Sequence, residues 1–141
     1  MKEQRQKASW YKRDKKANPV KYRLKNIYSM FKRRDGVDLT EDQKAQIASR
    51  FSVHLGRMCD YCGEITTVKN LSCDHIIPLS REGTNEQNNL QFICLGCNFE
   101  KGNLTGDEYQ TLINFLNRHP EMRKIIRTRL KMSGIVFAHR K

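Results

Sequence analysis

A chain of 141 residues that is 38% hydrophobic, with a mean hydropathy of -0.77, has room for one small domain with appended helices and a modest core. No stretch approaches the roughly 20 apolar residues of a membrane span. The charged N-terminus lacks the apolar run of a secretion signal, so a cytoplasmic location is expected. The net charge of +12 is unevenly placed: residues 1–34 carry 13 basic and 2 acidic side chains, residues 118–141 carry 8 and 1, and residues 35–117 carry 6 and 12. Two basic flanks favour a polyanion by counterion release. The acidic centre repels phosphate unless cations sit in it, which is the first hint of bound metal.

Residues 1–18 form a polar, basic arm, expected to stay disordered until it meets nucleic acid. In it Trp10 and Tyr11 stand beside Lys12, Arg13, Lys15 and Lys16, a mixture that can stack on bases and pair with phosphates. A helical extension is expected over 19–56. Pro19 opens its first helix, with Val20, Leu24, Ile27, Tyr28 and Phe31 on the apolar stripe. Tyr22 and Tyr28 lie among cations and are also stacking candidates, although the stripe assigns Tyr28 to the core. Thr40 and Gln43 make a capping box for the next helix.

Residues 57–104 are the densest part of the chain. Cys59-Asp60-Tyr61-Cys62-Gly63 predicts a tight turn presenting two thiolates. Residues 71–78 predict a strand ending at proline, 80–89 a polar loop, 90–94 a second strand, and 95–101 a short helix stopped by Gly102. Residues 105–141 predict C-terminal helices and a basic tail. Thr105 and Glu108 cap the first helix, with Tyr109, Leu112, Ile113 and Leu116 inside. The last begins at Pro120, with Met122, Ile125, Ile126 and Leu130 inside and Arg123, Lys124, Arg127, Arg129 and Lys131 largely outside. The tail from Gly134 is expected to be loose.

Four of the five cysteines form two Cys-x-x-Cys pairs, Cys59/Cys62 and Cys94/Cys97, with 31 residues between them. Without an export signal that pattern points to metal. Four thiolates give zinc a closed tetrahedral shell, which is a structural site. Cys73, the odd one, reads as a small strand hydrophobe. Asp74 and His75 lie between the two half-sites, and Asn98 directly follows the last cysteine. Carboxylate and amide oxygens from Asp74 and Asn98 make a hard, incomplete shell suited to Mg²⁺ or Mn²⁺. A neutral histidine such as His75 can take a proton from water near pH 7.

The stretch CDYCGE…LSCDHIIPLSREGTNEQNNLQFICLGCNFEKGN resembles the HNH endonucleases, especially the short forms common in bacteriophages. Five elements occur in order: CxxC, DHIIPLS, the G-T-N loop, NNLQ and CxxCNxxKG. The resemblance implies an α+β fold: a ββα-metal, treble-clef-like core with four-cysteine zinc knuckles, flanked by N- and C-terminal helices. It implies Asp74 as a metal ligand, His75 as general base and Asn98 as second metal ligand. Asn89, the central Asn of the motif, would bridge loop backbone and steady His75. Where some members carry a further histidine this chain has Gly102, so DNA phosphate is expected to complete the metal shell. Lys101 and Arg81 are candidates for phosphate contact, or else solvated surface cations.

Two cofactors are thus expected, structural Zn²⁺ and catalytic Mg²⁺ or Mn²⁺, with DNA as substrate and RNA left open. The leading expectation is a phage-encoded endonuclease, nicking as a monomer and breaking both strands as a dimer. The alternatives are a non-catalytic zinc module that binds nucleic acid, and an accessory nuclease active only with a phage packaging or replication partner.

Overall fold

Lysine, arginine, glutamine and alanine dominate residues 2–17, and these good helix formers make helix α1 (Lys2–Ala17), none of whose residues is buried. The structure, a computed structural model, describes residues 1–133, and the tail from Gly134 lies outside the described residues. The chain divides into two compact units, Met1–Ala48 and the residues from Ser49 onward.

In the first unit the arm expected to be disordered is therefore helical. Asn18 ends α1, donating its amide to Asp14 Oδ1 at 2.8 Å. Helix α2 (Pro19–Asp35) starts on proline and stops at Gly36, whose φ of 66° suits a residue without Cβ. Tyr22 is buried, and its hydroxyl donates to Asp14 at 2.5 Å. That bond holds the Tyr22 phenol up to about 12. Tyr22 is thus a packing residue and not a free stacking platform, while Trp10 and Tyr11 stay exposed. Tyr28 is half-buried and donates to the Lys44 carbonyl at 3.0 Å. Helix α3 (Glu41–His54) begins with both halves of the Thr40–Gln43 box made, at 2.9 and 3.2 Å.

The second unit is built on one hairpin. Strands β1 (Leu71–His75) and β2 (Leu90–Cys94) pair antiparallel, with Ser72 opposite Ile93, Asp74 opposite Gln91 and His75 opposite Leu90. β1 ends earlier than Pro78 because Asn89 captures the following backbone: Ile76 N–H donates to its carbonyl at 2.8 Å, and Ile77 N–H to its side-chain oxygen at 2.9 Å. Gly83 lets the loop close on this turn, since a Cβ there would stand 1.8 Å from the Ile77 carbonyl oxygen.

Helix α4 (Leu95–Lys101) follows β2 without a break, and α5 (Gly106–Arg118) starts from the complete Thr105–Glu108 capping box. Tyr109 and Ile113 of α5 pack with Ile93 and three of the paired cysteines, Cys59, Cys94 and Cys97. A 3₁₀ turn at Pro120–Met122 leads to α6 (Arg123–Met132). The sequence stripe places Ile125 inside, yet it is 56% exposed. The rotation of α6 is set by charge: Arg123 and Arg127, one turn apart, both donate to the buried carboxylate of Glu100 on α4.

Candidate active site

The two cysteine pairs meet. Cys59 and Cys62 lie on a tight turn closed by Cys59 N–H to the Glu64 carbonyl (2.7 Å) and Gly63 N–H to the Cys59 carbonyl (2.8 Å). Cys94 ends β2 and caps α4, its sulfur accepting from Cys97 N–H at 3.4 Å. All four sulfurs lie within 4.8 Å of one another. Zinc–sulfur bonds of about 2.3 Å in a tetrahedron need sulfurs roughly 3.8 Å apart, so the cluster could hold a zinc ion. Hydrogen bonds from Cys94 and Cys97 push the Cys59 thiol far down, and the hydrogen bonds that Cys97 makes to Cys59 and Cys94 push its own thiol far up. A group of this kind keeps protons on its later thiols until a cation displaces them. Cys73 is not in this cluster, and burial raises its thiol to about 12. It stays a protonated packing residue.

One face of the hairpin carries the polar centre. Side chains two apart on a strand, and those directly opposite on its partner, share a face. Ser72, Asp74 and Gln91 therefore point the same way. Asn98 and Lys101, three apart on α4, meet this face. Asn98 Nδ2 donates to Ser72 Oγ at 3.0 Å. Lys101 is fully buried, with Nζ 3.0 Å from Asp74 Oδ2 and 2.8 Å from the His75 carbonyl oxygen. It is neither a surface cation nor placed for phosphate, as its polar neighbours in sequence suggest.

His75 closes β1 and is buried at 9% exposure. Its Nε2 is 2.7 Å from Asn85 Oδ1. An amide oxygen only accepts, so Nε2 is the donor in this contact. The resemblance gives the steadying of the ring to Asn89, whereas the side-chain amide that meets Nε2 is that of Asn85 in the G-T-N loop. The Asn89 side chain instead binds Ile77 N–H, the Ile77 carbonyl (3.0 Å) and the Thr84 carbonyl (2.8 Å). Arg81, the other phosphate candidate, forms a two-pronged pair with Glu108 at 2.5 and 3.0 Å. Gln91 and Ser72 also went unnoticed in the sequence, although strand alternation around Asp74 points at both.

Residues 59–104 match the family described as HNH endonuclease. They are an HNH endonuclease domain. A stretch of 46 residues of the chain is 46% identical to the CRISPR-associated endonuclease Cas9 of Corynebacterium diphtheriae, over 32% of this chain and 4% of that protein. The chain thus spans a small fraction of this curated relative. The HNH domain opens at Cys59 and ends just past α4, so it contains the four cysteines, Asp74, His75, Asn85, Asn89, Asn98 and Lys101. Helices α1 to α3, α5 and α6 lie outside the matched residues. No helix among the described residues is long and apolar enough to cross a membrane.

Proposed function

We propose that this protein is a divalent-metal-dependent endonuclease that hydrolyses DNA phosphodiester bonds. Asp74 and Asn98 hold a Mg²⁺ or Mn²⁺ ion, and His75 takes the proton from the attacking water. The observation that carries the reading is the setting of His75: a buried ring whose Nε2 lies 2.7 Å from the acceptor Asn85 Oδ1, which supports Nδ1 as the base. The donor set fits the ion, since a carboxylate and an amide oxygen are hard ligands that leave room for water and phosphate. When bound, such an ion supplies charge for the phosphate and the leaving oxygen.

The chain's own residues do the rest. His75 accepts the proton at Nδ1 while Asn85 keeps the ring in place. Lys101 compensates the Asp74 charge from within the protein. Asn89 holds the loop that carries Asn85. The cysteine cluster, loaded with zinc, ties both ends of this segment together and does not react. On α1 the exposed Trp10, Lys12, Arg13, Lys15 and Lys16 present cations beside an aromatic ring, which supports nucleic acid as their partner.

One such centre cuts one strand, so a monomer nicks and a dimer breaks both. The resemblance to short phage forms supports a phage-encoded enzyme. The test is supercoiled plasmid incubated with purified, zinc-loaded protein and Mn²⁺. Relaxation is expected, with loss of activity in His75→Ala. Plasmid that stays supercoiled, or relaxation undiminished in His75→Ala, overturns the reading.

A further inference from the structure

We infer that Ser72 and Gln91 are positioning residues that decide which atoms of Asn98 and Asp74 are offered to the catalytic cation. The inference rests on the proposed ligand pair, and it concerns how two ambiguous side chains are made to face one way. An amide can present oxygen or nitrogen, and only the oxygen binds a cation. A carboxylate has two oxygens, and a hard ion is held well only if the one it meets is not already engaged.

Ser72 is 2% exposed and sits on β1 opposite Ile93. Its hydroxyl has a single proton, donated to the Ile93 carbonyl at 2.8 Å. Toward any other neighbour Ser72 Oγ can therefore only accept. Asn98 meets that oxygen with Nδ2 at 3.0 Å. Turning the amide over would set its oxygen against the serine oxygen, two acceptors facing each other where water is excluded. The Ile93 carbonyl thus fixes the serine proton, the serine fixes the amide, and Asn98 Oδ1 is left on the far side from Ser72.

Gln91 does the same for Asp74 from the paired strand. A carboxylate only accepts, so Gln91 must turn its nitrogen toward Asp74, and Nε2 lies 3.0 Å from Oδ2. This turns Gln91 Oε1 the other way, where it accepts from the Tyr61 hydroxyl at 3.0 Å. Tyr61 stands between Cys59 and Cys62, so the relay starts on the cysteine turn and ends on the acid. Lys101 Nζ approaches the same oxygen, Oδ2, at 3.0 Å. Both donors converge on Oδ2, which makes Oδ1 the oxygen for the cation. No buried side-chain polar atom among the described residues lacks a partner.

Partners that orient metal ligands typically change metal affinity about 10-fold to 100-fold when removed. The test is titration of Mn²⁺ into zinc-loaded full-length protein without DNA, by calorimetry or by the resonance of free Mn²⁺. Zinc content and thermal unfolding are measured alongside. Ser72→Ala and Gln91→Leu are each expected to weaken Mn²⁺ binding by about 10-fold to 100-fold, with one zinc per chain retained. Asp74→Ala is the control. If it abolishes Mn²⁺ binding while Ser72→Ala and Gln91→Leu bind as wild type, the positioning roles are wrong and the ligand pair stands. If Asp74→Ala itself binds as wild type, the ligand pair is wrong. Should Ser72→Ala lose zinc or fold, the wild-type Asn98 side-chain amide decides by NMR. An NH₂ signal protected from exchange and close to the Ser72 β-protons supports the orientation, and a freely exchanging one overturns it.

Discussion

The ammonium of Lys101 lies 3.0 Å from Asp74 Oδ2, and none of the lysine reaches solvent. A buried ion pair is costly to assemble but costlier to break, because removing one partner leaves an uncompensated charge in a dry site. Lys101→Met is therefore expected to lose about 3–5 kcal/mol of stability in divalent-free buffer, read from urea midpoints. Mn²⁺ should restore more stability to the variant than it adds to wild type, since a bound cation compensates the same carboxylate. Equal stabilisation of both proteins by Mn²⁺ would place the ion away from Asp74.

The two loop asparagines make separable predictions. Asn85 touches the His75 ring, while Asn89 holds backbone at Ile77 and Thr84. Asn85→Ala frees the ring to rotate and to move its proton, so plasmid relaxation should slow on the order of 100-fold, the usual scale for a misplaced reacting group. Its unfolding midpoint should barely move. Asn89→Ala strands buried backbone groups and should cost about 1–3 kcal/mol. If Asn85→Ala cleaved at the wild-type rate, the ring would have to be held by some other contact.

Local features were readable because their causes are local. The boxes at Thr40–Gln43 and Thr105–Glu108 need only residues three apart, and β2, α4 and the cysteine turn are bounded by their own punctuation. What escaped depends on partners distant in sequence. Lys101 sits in a polar run, Phe-Glu-Lys-Gly-Asn, that reads as surface until the hairpin brings Asp74 beneath it. Ile125 lies on the apolar stripe, but α6 buries none of its residues and is held to Glu100 by the half-exposed side chains of Arg123 and Arg127. Tyr22 reads as an aromatic among cations, and its burial depends on Asp14 and Tyr11 of the preceding helix. Asp74, His75 and the four cysteines were legible through motif order. Their supports Ser72, Gln91 and Asn85 were not, since hydroxyl and amide side chains carry no signal until their partners are known.

Zinc should be a folding ligand here. The HNH domain has a two-stranded sheet and one seven-residue helix, and three of its buried apolar positions are the cysteines themselves, Cys59, Cys94 and Cys97. Sites of this type hold zinc with roughly 10–16 kcal/mol of apparent free energy. That is comparable to the whole stability of a small domain. A strong chelator is expected to abolish the cooperative thermal transition of the second unit, followed by circular dichroism, and added Zn²⁺ to restore it. Cys94→Ala should be the most damaging single change, because that sulfur caps α4 and would also be a zinc ligand. An unchanged transition after verified zinc removal would show that packing alone suffices.

Arg81 and Glu108 tie the turn after Pro78 to the start of α5, and this pair sets a pH dependence. The Arg81 guanidinium, helped by the Thr105 backbone N–H, holds the Glu108 carboxyl down at about 2, against an ordinary value of 4.5. A carboxyl lowered by folding stabilises fully above its unfolded value, and the contribution fades as pH falls through the folded one. Both side chains are more than two-fifths exposed, so solvent screening keeps the contribution of the pair small. Glu108→Gln keeps the reach back to the Thr105 N–H and removes only the charge. The stability gap between wild type and Glu108→Gln should be constant from pH 7 down to about 5, shrink between about 4.5 and 2, and vanish below that. High salt at pH 7 should shrink it too. A gap that persisted at pH 2 would trace the effect to the capping box and not to Arg81, and the turn would then be held by its backbone bonds alone.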